Sequence, residues 1–450
     1  GSLVVEHQLS DSLVINGYYD RTNDKAGLDT GAWLDSKGDV ISENNTINDF
    51  SWAFTDITVE NLGAKLTYFI NPLWEVKVGY NQQQFNRQRF ESSPKIPSDY
   101  QSGDSYISKP YDRSDDWQFK TAFIDLNGEL TIAGIEHKLL FGANSLDYYY
   151  GQLKTNGAAI NYTPGDIEPL KPAISFTTDT SLRTSQYDYY GLYFQDLMTL
   201  NQYWQVAIGG RYDKQNKEGA NNESLLPKIA VLYHPSDHST LYANYSEGFE
   251  PQRSETIENE QDKNFGMRID ATTSKQIEIG AKWELSERLL LNSAIFTIEK
   301  SGTLISEQLL DDPNYESITT QSGRQVHKGI EMSAQGAITD RWFAITSVMY
   351  LDASYKEDQT YEGNTPADAP KWSASLWSRY ELTEKLALNA GIFYQGERYA
   401  DNANTVTKDG YSRVDLGATY QAAIAGKKVA TIKDKNNKDN PTKGGNISFG

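Results

Sequence analysis

Over stretches of about ten residues, apolar and polar side chains alternate one by one along this chain, the period of an extended strand with two unlike faces. Within 203–212 one face carries Trp204, Val206, Ile208, Gly210 and Tyr212, and the other Gln205, Ala207, Gly209 and Arg211. Ile277, Ile279, Ala281 and Trp283 oppose Gln276, Glu278, Gly280, Lys282 and Glu284 in the same way. Leu386, Leu388, Ala390, Ile392 and Tyr394 alternate with Ala387, Asn389, Gly391 and Phe393, and Val414, Leu416, Ala418 and Tyr420 oppose Arg413, Asp415, Gly417 and Thr419. Alternation of this kind fits a membrane barrel, and it also fits a soluble sandwich whose apolar faces meet.

Connection lengths separate the two. Tight turns are predicted at 9–12, 70–73, 132–135, 200–203, 234–238, 285–288, 338–341, 382–385 and 423–426, where Asn, Asp, Ser, Gly and Pro supply the turn conformations. Between them lie long polar stretches, among them 20–55, 82–116, 145–186, 248–273 and 301–324. Short turns alternating with long loops place all the long loops at one end, the asymmetry of an outer-membrane barrel. The fold predicted is all-β: a large antiparallel transmembrane β-barrel with roughly eighteen strands in this chain, without a helix or an interdomain linker.

Composition narrows the chemistry. Sixty-one acidic against 42 basic residues leave a net charge of −19, which argues against a nucleic-acid partner. The absence of cysteine removes disulfides, thiolate metal sites and a Cys nucleophile. No run approaches the roughly 18 to 20 apolar residues of a membrane-crossing helix. Aromatics are abundant and led by tyrosine, with 29 Tyr, 16 Phe and 9 Trp. Trp204, Tyr212, Trp283, Trp342, Tyr394 and Tyr420 sit where an interfacial girdle belongs.

Several phrases follow a familiar order. They are Tyr190-Gly191-Leu192-Tyr193-Phe194-Gln195-Asp196, Gly209-Gly210-Arg211-Tyr212-Asp213, the run at 241–252, Lys328-Gly329-Ile330-Glu331, and the run at 410–416. On these phrases the chain resembles the barrel portion of a TonB-dependent siderophore receptor, the outer-membrane family that imports ferric chelates. The resemblance implies a parent barrel of about 22 strands with a plugged lumen. It makes residues 1–450 a partial β-barrel domain that starts near the family's fourth strand and lacks its last strand and its N-terminal plug. Lys433, Asp434 and Lys435 fall where a further strand should alternate.

The resemblance further implies a bacterial outer-membrane location with outer-membrane lipid around the wall, and a ferric siderophore as ligand, of hydroxamate or mixed type. It implies energy from the TonB-ExbB-ExbD complex through the plug segment, and no cofactor, iron arriving only inside its chelator. Four residues stand as ligand-binding candidates: Arg211, inward and near the extracellular end of its strand, Tyr193 and Phe393, inward, and Arg398 at a loop base. Glu278, Lys282, Glu331, Arg413 and Asp415 are also expected inward, paired across the wall or with a plug.

His234 and His238 straddle a turn, so they lack the helical spacing of a metal pair, and no metal site is expected. The acid-rich runs 255–262 and 306–316 read as solvated loop surface. With no phosphate loop, serine elbow or carboxylate dyad, no catalytic residue stands out and the chain is not expected to be an enzyme. Active import of a ferric siderophore is the leading reading. A passive porin-like channel and a soluble β-rich adhesin are the alternatives.

Overall fold

The computed structural model describes residues 1–29, 31, 33, 49–97, 99–100, 103–174, 180–218, 220–252, 254, 256–308, 314–424 and 427–434. The strands run in chain order as β1 (Ser2–Ser10), β2 (Leu13–Gly27), β3 (Phe54–Asn71) and β4 (Trp74–Glu91), then short β5 (Pro94–Lys95) and β6 (Tyr106–Ser108). They continue as β7 (Tyr111–Ile132), β8 (Ile135–Asn156), short β9 (Ile160–Tyr162), β10 (Thr180–Thr199), β11 (Trp204–Lys217), β12 (Asn222–Ser236) and β13 (Ser239–Glu250). The remainder are β14 (Thr272–Ser286), β15 (Leu289–Gln308), β16 (Ser317–Thr339), β17 (Trp342–Glu357), β18 (Trp372–Glu381), β19 (Leu386–Gln395), short β20 (Arg398–Tyr399) and β21 (Thr407–Lys408), β22 (Tyr411–Ile424) and β23 (Lys427–Asp434).

Apart from the five short strands, all belong to one 18-stranded antiparallel sheet in which each strand pairs with its neighbour in the chain. The short strands pair among themselves within the long connections. All nine predicted tight turns fall between paired strands, the ninth with residues 425–426 outside the described set. At one of them Ala133 and Gly134 both take positive φ, 51° and 85°, the twist that a two-residue hairpin requires. Among the described residues β1 pairs with β2 alone and β23 with β22 alone, so these two strands end the ladder.

Two expectations are corrected. β18 and β19 are ten residues long as expected, but most wall strands are longer, reaching 23 residues in β16 and 22 in β7 and β8. The polar stretches 20–55, 82–116, 145–186 and 301–324 accordingly begin and end inside strands rather than at loop boundaries. Alternation of apolar and polar residues requires one greasy surrounding. Beyond it both faces are wet, so the ladder continues while its hydropathy signal disappears. Lys433 and Asp434, which break the alternation, nevertheless lie in β23 opposite Ala418 and Gly417, while Lys435 lies outside the described residues.

The apolar face is not packed against any other described part of the chain. Ile279 is 62% exposed, Leu416 60% and Leu192 60%, and the predicted girdle residues Trp204, Tyr212, Trp283, Trp342, Tyr394 and Tyr420 are all exposed. Register aligns these side chains across strands: Ala243 faces Ile279, which faces Ile295, which faces Ile330. Among the described residues no second sheet covers this face, which argues against the sandwich alternative and leaves hydrocarbon as the surrounding that an apolar band of this extent needs.

A test follows from the band. Ile279→Arg is expected to destabilise the folded wall by about 2–4 kcal/mol, the depth-dependent penalty for Arg facing the membrane midplane. Thr240→Arg, on the opposite face beside Lys282, should do far less. Heat-dependent mobility on detergent gels and chemical unfolding in lipid vesicles measure the difference.

Candidate ligand-facing wall

On the polar face the structure brings Tyr193 and Arg211 together as direct cross-strand partners on β10 and β11. The guanidinium lies 5.2 Å from the Tyr193 ring centroid, and its Nη2 donates to Asn144 Oδ1 at 2.9 Å. Its Nε donates to Asp213 Oδ2 at 2.8 Å, and Asp213 is 2% exposed. Tyr193 donates to Asp125 Oδ1 at 2.5 Å. Two glycines make room for this group. A Cβ on Gly142 would come within 2.2 Å of the Tyr193 ring, and one on Gly191 within 2.1 Å of Arg211 Nη2.

Arg211 therefore stands mid-strand, six residues short of the end of β11 at Lys217, and not near the extracellular end as the sequence suggested. The ten-residue strand expected from alternation stopped too early. Its positive charge is already balanced by Asp213, so this cluster braces the wall.

Phe393 and Arg398 belong to a second group, eight wall strands away. Arg413 lies across the strand pair from Phe393 with its guanidinium 5.9 Å from the ring, and Arg413 Nε donates to Asp415 at 3.0 Å. The Arg398 guanidinium is 6.0 Å from the Tyr411 ring centroid, and its Nε donates to Asp368 at 3.3 Å. Lys408 Nζ reaches the same carboxylate at 2.7 Å. Lys408 first, then Arg398, holds the Asp368 carboxyl below its ordinary range. Arg398 Nη1 is buried without a hydrogen-bond partner. The expected pairing of inward charges extends to Tyr242, which donates to Glu278 at 2.7 Å with Lys282 near its ring.

A third group escaped the sequence reading. Arg89, Arg113 and Lys154 face one another directly across β4, β7 and β8. Like charges set opposite in a sheet repel, so the row needs compensation. Part of it comes from Asp115, whose side chain is fully buried: Arg87 donates to it from Nε at 3.1 Å and Nη2 at 2.9 Å, Arg113 from Nε at 2.9 Å, and Tyr150 at 2.8 Å. Glu91 pairs with Arg89 at 2.6 Å and accepts from Tyr111 at 2.5 Å. Lys154 Nζ sits 3.9 Å from the Tyr111 ring centroid. Arg87, Arg89, Arg113 and Lys154 thus outnumber the Glu91 and Asp115 carboxylates that pair with them, Asp49 lies beside Arg89 and Glu91, and among the described residues Arg89 Nε is buried without a hydrogen-bond partner.

Toward the short-turn end, aromatic rings continue the same surface. Trp117 lies 4.9 Å from Phe85 and 4.9 Å from Tyr150, and Tyr148 lies 5.2 Å from Phe119 and 4.5 Å from Tyr187. Arg87 stands 5.0 Å above Trp117. Apart from Trp117, Phe119 and Tyr187, these residues lie inside stretches read as loop. Their period-two spacing, Phe85-Arg87-Arg89 and Arg113-Asp115-Trp117-Phe119, is the local signal that was available.

Buried apolar side chains cluster in the long connections and at the adjoining end of β4. Phe50, Phe90 and Tyr106 are buried, with Phe50 and Tyr162 rings at 5.0 Å and Trp52 and Phe90 at 5.5 Å. Asp262, expected on solvated surface, is instead fully buried. It accepts from Thr319 Oγ1 at 2.7 Å, Ser317 Oγ at 2.8 Å, and the backbone N–H groups of Asn264 at 2.9 Å and Thr319 at 3.0 Å. Burial opposes its ionisation, but these donors, Thr319 foremost, outweigh it and bring the carboxyl down to about 2. It thereby ties the β13–β14 connection to the start of β16.

Residues 4–433 match the sequence profile described as TonB dependent receptor-like, beta-barrel. The chain belongs to the TonB-dependent receptor family. It is 30% identical over 258 residues to the ferrichrome outer membrane transporter/phage receptor of Escherichia coli, covering 53% of this chain and 33% of that protein. It is 26% identical over 379 residues to the ferrioxamine receptor of Yersinia enterocolitica, covering 76% of this chain and 51% of that receptor. In fold it is similar to BauA, the ferric preacinetobactin receptor of Acinetobacter baumannii, with a TM-score of 0.81 at 19% identity over 95% of this chain and 66% of that one. The chain thus spans one third to one half of these two curated relatives.

Membership of this receptor family fixes the orientation of the wall in the outer membrane. The apolar face meets lipid, the polar face looks into the lumen, and the tight turns lie at the periplasmic rim. The long connections, with Asp262 among them, lie outside the cell. Because the folded carboxyl sits below its unfolded value, its clamp is fully present above about pH 4 and is lost as pH falls through about 2. Asp262→Ala leaves buried donors unsatisfied, at about 1–3 kcal/mol. Limited proteolysis at neutral pH is expected to cut the 251–271 connection faster in the variant while the wall resists, and wild type should cut as slowly at pH 4 as at pH 7.

Proposed function

We propose that this chain forms barrel wall for a receptor that imports a ferric siderophore through the outer membrane, driven by TonB. The observation that carries the reading is the lumen-facing surface of β4, β7, β8 and β10, where a cation row adjoins aromatic rings. Wall bracing accounts for a balanced pair such as Arg211 with Asp213. Glu91 and Asp115 pair with Arg89 and Arg113 in the same way, but four cations, Arg87, Arg89, Arg113 and Lys154, share these two carboxylates, and a bound anion would offset the excess. Aromatic rings beside the row offer flat, amphipathic contact for the organic shell of a chelate. The names of relatives in the family, receptors for ferrichrome and ferrioxamine among them, support the same class of cargo.

Tyr193, Arg211, Phe393 and Arg398 take secondary places in this reading. Arg211 holds Tyr193 in position below the cation row, Phe393 lies eight wall strands beyond Arg211, and Arg398 lies in the short strand β20. Iron enters wrapped in its chelator, so the wall recognises the complex and supplies no ligand to the metal. Energy transfer from TonB, ExbB and ExbD belongs to the plug of the complete receptor.

Uptake of radio-iron as its siderophore complex, by cells making the complete receptor, tests this. Accumulation is expected in cells with TonB and not in cells without it, and the double variant Arg89→Gln, Arg113→Gln should lower it. Equal accumulation without TonB, together with a stable open conductance in planar bilayers, would instead make the protein a passive channel.

A further inference from the structure

We propose that the ligand is an anionic, aryl-bearing ferric chelate of the tris-catecholate kind, and not a neutral or cationic trihydroxamate. This rests on the siderophore reading and narrows it.

Charge comes first. The chain carries a net charge of −19, so its overall field repels anions. Against that background Arg89, Arg113 and Lys154 lie in one register row on three adjacent strands, flanked by Arg87 in the next row. A neutral trihydroxamate complex gains nothing from such a row, and a cationic one is repelled. A trianionic complex is attracted by every member, and it relieves their mutual repulsion on arrival. The groups are also suited to oxyanions at a metal's edge. Arg87 and Arg113 share a single carboxylate, Asp115. Arg donors are planar and forked, so they reach paired catecholate oxygens without competing for the iron.

Shape comes second. Successive rows on a strand face are about 7 Å apart. Two residues below the cation row lies Asp115, and two further lies the Phe85, Trp117 and Tyr150 row, followed by Phe119, Tyr148 and Tyr187. Anionic groups held at the cations therefore bring the rest of a rigid chelate onto aromatic rings. Flat aryl rings match those surfaces by stacked or edge contacts. Aliphatic hydroxamate arms match them less well.

Binding to the complete receptor in detergent, followed by Trp fluorescence and calorimetry, tests the assignment with three probes: an iron(III) tris-catecholate, an iron(III) trihydroxamate and iron(III) citrate. The expected result is that the tris-catecholate binds at least about tenfold more tightly than either of the others. Lys154→Gln, which also relieves the like-charge row and so is not expected to unfold the wall, should weaken the tris-catecholate about tenfold and leave the trihydroxamate within about twofold. Trp117→Phe should remove most of the quenching.

If the trihydroxamate binds as tightly or more tightly, the chelate class is wrong while siderophore uptake stands. Tighter binding of citrate overturns the aryl part of the assignment. Loss of affinity for all probes alike in Lys154→Gln would overturn the charge argument. Failure of all three to bind the wild-type receptor at millimolar concentration would overturn the siderophore reading together with the class.

Discussion

Inside hydrocarbon no water is present to satisfy a backbone amide, so each N–H and C=O must find its partner within the protein. That constraint explains the wall. The sixteen inner strands of the sheet are paired on both sides with nothing but tight turns at one rim, while β1 and β23 are each paired on one side among the described residues. Once the ladder has met that demand, side chains are free to differ completely on the two faces, since neither face is needed for a core. The apolar face is exposed because lipid is its partner, and the buried apolar residues Phe50, Phe90, Tyr100 and Tyr106 lie at the extracellular end instead.

Charges on the lumen side divide into two kinds. Arg211 with Asp213 and Arg413 with Asp415 are near neighbours whose charges are matched. They keep charge on the wall without leaving it unbalanced. The row of Arg89, Arg113 and Lys154 differs because register sets like charges opposite, and the carboxylates of Glu91 and Asp115 offset part of the excess. A surface that retains repulsion in its resting state is poised for an anion, whereas a matched pair is poised for nothing further.

The outer connections are held by a different kind of contact. Asp262 gathers four hydrogen bonds from three residues in a fully buried position, and the rings around Phe50 and Phe90 pack edge to face. Both devices join segments far apart in the chain. They let long loops present a defined surface above the lumen while the wall below remains a simple meander.

Sequence by itself determined the hairpin rhythm, the face of each strand within the hydrocarbon band, and the family. A period of two is a local property, and nine turns rich in Asn, Asp, Ser, Gly and Pro mark where it reverses. It therefore placed Trp204, Ile279 and Leu416 on the lipid side, and Tyr193 with Arg211 on the other. It stopped where both faces become wet, which is why strands of up to 23 residues looked half as long and Arg211 looked close to a rim. Tertiary structure alone decided what depends on register across long connections. Nothing local in the chain announces that positions 89, 113 and 154 share one row, or that Asp262 turns inward to Ser317 and Thr319. Pairing between strands fixes those neighbours, and pairing is a property of the folded ladder.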